Sequence, residues 1–272
     1  MNYAICNETF GGWDHAHICS FAAELGYRGL EIAPYTLAAS VRDLSAGQRS
    51  ELRRTAEANG LTIFGLHWLL AKTEGYHVTS PDTGVRQRTA DYLGALAHCC
   101  RDLGGDVLVF GSPAQRRLLP GISHAQATDY ALDTFSRAAP TLASTGVTLC
   151  LEPLTTAEVD FLTTCDETVA LLDRLAHPSF ALHLDVKAMS SEGTPVPELI
   201  RRHASRTRHF HANDPNKRGP GFGATDFVPI FQALRETGYS HWVSVEVFDY
   251  TPDPETIARE SLQYMQRCAR HA

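Results

Sequence analysis

The chain predicts an α/β fold, a single (β/α)8 barrel over residues 1–272, on three observations. Short apolar runs alternate with amphipathic stretches from end to end, and there are eight of each. The length, 272 residues, is close to the roughly 250 that such a barrel takes. No Pro/Gly/Ser-rich tract interrupts the alternation, so no linker divides the chain.

The strand-like runs lie at 2–6, 28–32, 61–67, 106–111, 147–152, 180–185, 207–211 and 242–247. The stretches between them, near 14–26, 45–59, 84–104, 123–145, 165–176, 195–204, 226–237 and 254–270, carry apolar residues at helical spacing. Start signals agree: Asp166 and Glu167 open the fifth helix, Asp226 the seventh, and Pro252 and Pro254 the last. Repeated strand then helix implies a parallel sheet with right-handed crossovers, and eight units favour closure over an open sheet. No G-x-G-x-x-G follows the first strand; the GPGFG at 219–223 reads as a compact turn, with ligand contact as the alternative.

Composition bounds the function. A formal charge of −7 and a pI near 6.0 offer no basic surface for a nucleic-acid backbone. The seven cysteines form no C-x-x-C pair and an odd count leaves one free, which fits a reduced, cytoplasmic setting with cysteines acting as small hydrophobes. No leader-like or membrane-length apolar segment is present, so no membrane partner is expected.

Four residues carry the chemistry. Glu152, Asp185, His211 and Glu246 end the runs VTLCLE, FALHLD, TRHFH and WVSVE, at separations of 33, 26 and 35 residues. Alternate residues on a strand face opposite ways, so Glu152 shares a face with Thr148 and Cys150, Asp185 with Ala181 and His183, His211 with Thr207 and His209, and Glu246 with Trp242 and Ser244. The other faces, from Val147, Leu149 and Leu151 to Val243, Val245 and Val247, are apolar and suited to lying under helices. All four therefore point inward at the C-terminal mouth, where barrel enzymes build their sites. Three carboxylates and an imidazole suit one hard or borderline divalent ion, Mn²⁺ first, with Mg²⁺ or Co²⁺ as alternatives. With such an ion polarising a hydroxy-ketone and stabilising an enediolate, one glutamate removes a proton beside the carbonyl and the other returns one from the opposite face. The outcome is epimerisation or aldose–ketose isomerisation.

The segments LEPL (151–154), HLD (183–185), HFHAND (209–214) and SVEVF (244–248) resemble those of the xylose isomerase-like TIM-barrel superfamily, the sugar phosphate isomerases/epimerases, and most closely ketose 3-epimerases of the D-tagatose/D-psicose type. The resemblance runs over essentially the whole chain. It implies that Glu152, Asp185, His211 and Glu246 bind the metal, that Glu152 and Glu246 are the paired acid/base groups, and that Glu158 contacts substrate. It also implies a homodimer or homotetramer. Two positions depart from it: Ala188 stands where the family carries a histidine, and Lys217 where it carries an arginine, with Arg218 adjacent to serve in its place.

Further candidates surround this set. His67, ending the third strand, is expected to reach the mouth and contact substrate, and Glu31, ending the second, to support the site or form a salt bridge. His183 and His209 read as hydrogen-bonding groups beneath the ligands. Trp68 and Phe248, with Trp13 and Tyr250, are positioned to wall a sugar or a glycosidic substituent, packing being the plainer reading for Trp13. Arg116 and Arg117 read as solvated loop charges before a phosphate site. The leading expectation is ketose 3-epimerisation. The alternatives are a metal-dependent lyase acting on a keto-sugar or inosose, then an abasic-site endonuclease or a non-catalytic sugar-binding module. The nuclease is disfavoured by Gly111-Ser112 after the fourth strand, where it would need a histidine, and by the acidic charge.

Overall fold

The computed structural model describes residues 1–272 and contains a closed barrel of eight parallel strands in sequential order. The strands are β1 (Asn2–Cys6), β2 (Gly29–Ile32), β3 (Thr62–Leu66), β4 (Val107–Phe110), β5 (Thr148–Leu151), β6 (Phe180–Asp185), β7 (Thr207–Ala212) and β8 (Trp242–Val245), and β8 pairs with β1 to close the ring. Each falls within a residue or two of the run expected for it. The helices are α1 (His15–Leu25), α2 (Ala46–Ala58), α3 (Thr83–Leu103), α4 (His124–Thr145), α5 (Cys165–Leu175), α6 (Val186–Met189), α7 (Val196–His203), α8 (Val228–Glu236) and α9 (Pro254–His271).

Local chemistry sets the helix ends. Ser45 with Gln48 and Ser123 with Gln126 form reciprocal capping boxes on α2 and α4, and Gly26, Gly104 and Gly146 close α1, α3 and α4 in the left-handed conformation. Thr164 caps α5, leaving Asp166 and Glu167 in its first turn, and Asp253 caps α9 ahead of Pro254. The one-turn helix α6 was not expected from periodicity. It forms because the Asp185 side chain accepts from the Ala188 N–H, so the same carboxylate that ends β6 starts the next turn.

The two faces of the strands separate as their parity requires. Val147, Leu149, Leu151, Phe180, Leu182, Leu184, Val243, Val245 and Val247 all join the core between barrel and helices. Inside the barrel a smaller apolar plug holds Ala4, Phe64, Val107, Val109 and Cys150, with Trp242 stacked on Phe64 at 4.8 Å. Above that plug the interior turns polar. All seven cysteines are buried and unpaired, and no helix is long and apolar enough to cross a membrane.

Candidate active site

The polar interior begins at β6 and β7, whose register sets His183 beside His209 and Asp185 beside His211. Glu152 follows β5 by one residue and Glu246 follows β8 by one. All four expected ligands are buried at the C-terminal mouth.

Glu152, His183, Asp185 and His211 each offer a donor atom, and these lie within 4.8 Å of one another. Glu246 stands beside this cluster rather than in it. Its Oε2 takes a hydrogen bond from Nδ1 of His211 at 3.1 Å and its Oε1 one from the Trp68 indole at 2.9 Å. The structure thus groups three members of the expected quartet with His183, and reaches Glu246 through His211. Parity put His183 on the inward face beside His209, two residues below Asp185, and from there its imidazole comes within 4.8 Å of the Glu152, Asp185 and His211 donor atoms.

The electrostatics are those of an acid-rich site. Burial, then repulsion from Glu246 and Asp185, pushes Glu152 well above the usual carboxyl range. Burial also pushes Glu246 up, but His211 and the Trp68 indole outweigh it and hold that carboxyl below its usual range. His211 has a carboxylate on each nitrogen, Glu246 on Nδ1 and Glu31 on Nε2, both at 3.1 Å. Burial lowers its pKa, yet Glu31 and Glu246 prevail and raise it well above 6.5, the direction set by two carboxylates that no bound cation neutralises. Burial, with His211 and His209, lowers His183 well below 6.5, and neither of its nitrogens has a hydrogen-bond partner.

These features fit a divalent ion. Crowded carboxylates that repel one another, next to a neutral imidazole with an unfilled lone pair, are an oxygen-and-nitrogen donor set in need of positive charge. The donors are also held from behind. Asn213 donates to Asp185 Oδ2 at 2.6 Å while its own Oδ1 accepts from the Lys187 N–H at 2.9 Å, and Glu31 braces both His209 and His211.

A cavity of about 270 Å³ opens above, lined by Glu152 and Glu246 together with His67, Trp68, Glu158 and Phe248. His67 is buried, with Nε2 2.8 Å from Glu8 Oε2. Trp68 and Phe248 stack at 6.0 Å to form one wall. Glu158 holds Lys187 Nζ through both oxygens, at 2.8 and 3.0 Å, and that ammonium lies 4.8 Å from the Phe248 ring. Burial alone would lower Lys187, but Asp185 and Glu158 raise it, so it is a cation.

Some expectations need correction. Lys217 and Arg218 do not line the cavity: Arg218 faces Asp249 at 3.3 Å, and Lys217 acts through its carbonyl, which accepts from the N–H groups of Phe248 and Asp249. The 213–225 loop folds back on itself, with Asp214 holding the Thr225 N–H, so GPGFG serves loop geometry. Arg116 is no solvated loop charge. It is fully buried and donates from Nη1 to the Glu152 carbonyl at 2.6 Å, where the loop after β4 meets the end of β5. Lys187, Asn213 and Glu8 were missed as site residues. Asn213 had a signal, two residues past His211 on one face, whereas Glu8 follows β1 in a short 3₁₀ turn with no periodicity to place it.

A closed parallel barrel with an acid-and-imidazole cluster at its C-terminal mouth marks an enzyme. Residues 19–268 match the family model described as Xylose isomerase-like TIM barrel, and the chain belongs to that family. It is 27% identical over 239 residues to a D-psicose 3-epimerase of Ruminiclostridium cellulolyticum, spanning 86% of this chain and 78% of that one. It is 23% identical over 256 residues to a fructoselysine 3-epimerase of Escherichia coli O157:H7, spanning 91% and 90%. Among solved structures, D-psicose 3-epimerase with D-tagatose from Clostridium cellulolyticum H10 superposes with a TM-score of 0.87 at 22% identity, over 99% of both chains, which shows the shared fold.

Proposed function

We propose that this protein is a divalent-metal-dependent ketose 3-epimerase. The observation that carries the reading is that Glu152 and Glu246, from strands β5 and β8, face one cavity beside the Asp185–His211 cluster. The kinship with 3-epimerases supports the reaction type.

Glu152, Asp185, His211 and Glu246 would hold the ion, with His183 beside them. When bound, it supplies Lewis acidity that polarises a substrate carbonyl and makes the neighbouring C–H more acidic. The remaining steps belong to the chain. A ketose lying between the two glutamates presents opposite faces of C3 to them, so one carboxylate removes the C3 proton and the other, protonated, returns one from the far side. Trp68 holds the Glu246 oxygen in place, and the Arg116 contact fixes the backbone from which Glu152 projects. The Trp68–Phe248 wall packs against the sugar and excludes water from the exchanging position, and Glu158 with Lys187 binds substrate hydroxyls.

The test is product analysis of the Mn²⁺-loaded protein with fructose and tagatose in D₂O. Deuterium at C3 together with the C3 epimer is expected. Exchange without an epimer overturns the epimerase, and loss of water from a keto-sugar substrate would put a lyase in its place. Glu152→Gln and Glu246→Gln are each expected to lower turnover by about 10²–10⁴-fold. Chelation should abolish turnover, and Mn²⁺ should restore it.

A further inference from the structure

Strand β6 brings two donors to one face, His183 and Asp185, separated by Leu184, which packs into the core under the helices. Two residues advance a strand by about 6.6 Å. The imidazole closes that gap, since one His183 nitrogen comes within 4.8 Å of donor atoms of Asp185, Glu152 and His211 alike. The roles given above to Glu152, Asp185, His211 and Glu246 make no use of it.

His183 is unsatisfied where it stands. It is fully buried, and neither ring nitrogen has a hydrogen-bond partner. The neighbouring imidazoles are turned to other groups. Their ring centres lie 5.0 Å away for His209 and 4.1 Å for His211, but His209 meets Glu31 through Nε2 at 3.0 Å and His211 has a carboxylate on each nitrogen. A buried imidazole without a partner is costly, because it gives up the hydrogen bonds of water and gains none in return. The lone pair on its nitrogen is instead a donor for a divalent ion held by Glu152, Asp185 and His211. His209, at the matching position of β7, is absent from that group of donors and braces the site through Glu31.

We infer that His183 is itself a ligand of the ion, so that the centre holds two imidazoles among its carboxylates, and that this second imidazole steepens the preference for a borderline ion such as Co²⁺ over Mg²⁺. This rests on the metal-dependent reading of the site. Imidazole nitrogen suits borderline ions, whereas Mg²⁺ takes oxygen and accepts water in its place. The test titrates the full-length, metal-free protein and its His183→Leu variant with Co²⁺ and with Mg²⁺ by calorimetry, and records the proton NMR spectrum of each Co²⁺ complex in H₂O. The substitution is expected to weaken Co²⁺ binding by at least about 100-fold and Mg²⁺ binding by less than about fivefold. Each coordinated imidazole keeps one N–H, whose signal the paramagnetic ion shifts strongly. The wild type should show two such signals and the variant one. A single signal in the wild type, unchanged Co²⁺ affinity in the variant, or equal weakening of both ions, as a merely structural histidine would give, overturns the assignment. The wild-type spectrum decides the matter should the variant fail to fold. Tight Co²⁺ binding with one imidazole signal rejects only His183 as a ligand, whereas binding of neither ion rejects the metal reading and His183 with it.

Discussion

A methyl group on Gly111 would overlap Oε2 of Glu152, so the residue after β4 and the acid after β5 fit only while position 111 has no side chain. The neighbouring Ser112 adopts a left-handed backbone, which turns the loop away as soon as the strand ends. Gly111→Ala should therefore displace the Glu152 carboxylate, and a shift near 1 Å at a reacting group costs about 10²-fold in rate. We expect kcat to fall by about that factor with the unfolding midpoint little changed. Steady-state kinetics beside a thermal melt checks this, and wild-type kcat in the variant would remove the argument.

Asn213 tests the support of the metal site. It is the side chain that fixes Asp185 Oδ2, and groups holding a ligand from behind typically contribute 10–100-fold in metal affinity. Asn213→Ala is expected to weaken Mn²⁺ binding by about that range, measured by titration. Asp185 keeps its bond to the Ala188 N–H, so the fold should persist.

Lys187 is expected to act on binding rather than on proton transfer. Lys187→Met keeps much of the apolar stem and removes the ammonium held by Glu158. KM for the ketose should rise by about tenfold while kcat changes far less, the signature of lost uniform binding. An equal fall in kcat and kcat/KM would instead place Lys187 in the transition state.

Glu167 gives a pH dependence of stability. Burial pushes its carboxyl up, but the N–H groups of Thr163 and Leu162, with His124, outweigh burial and hold it below the usual range. The contribution of a depressed carboxyl is complete above its unfolded value, about 4.3, and is lost as pH falls through the lower folded value. Wild type should exceed Glu167→Gln in unfolding midpoint at pH 7, and the difference should close toward pH 3. A gap that stays constant with pH would show that the charge is not what anchors the loop after β5.

Much of the site was legible because a barrel of parallel strands converts sequence parity into position. Once each run was read as a strand, Glu152, Asp185, His211 and Glu246 had to face the interior at one end. Arg116 defied the same reasoning, since its sequence neighbourhood describes an exposed loop and only the meeting of that loop with the end of β5 buries it. His183 lies where parity placed it, two residues below Asp185 on the inward face. That its imidazole closes on the Glu152, Asp185 and His211 donors depends on side-chain direction, which hydrophobic alternation does not record. Lys217 and Arg218 were drawn in by their position in a family pattern, and a left-handed turn at Lys217 directs its carbonyl, not its side chain, to the wall.

The sequence by itself determined the barrel, the order of its elements, the acid-and-imidazole set and the kinship with ketose 3-epimerases, because periodicity and motif spacing are local properties of the chain. Tertiary structure alone decided that His211 bridges Glu31 and Glu246, that Glu158 grips Lys187, and that His183 closes on Glu152 and His211. Each of those relations joins side chains from different βα units. Their distances depend on register, loop path and packing, none of which a linear pattern encodes.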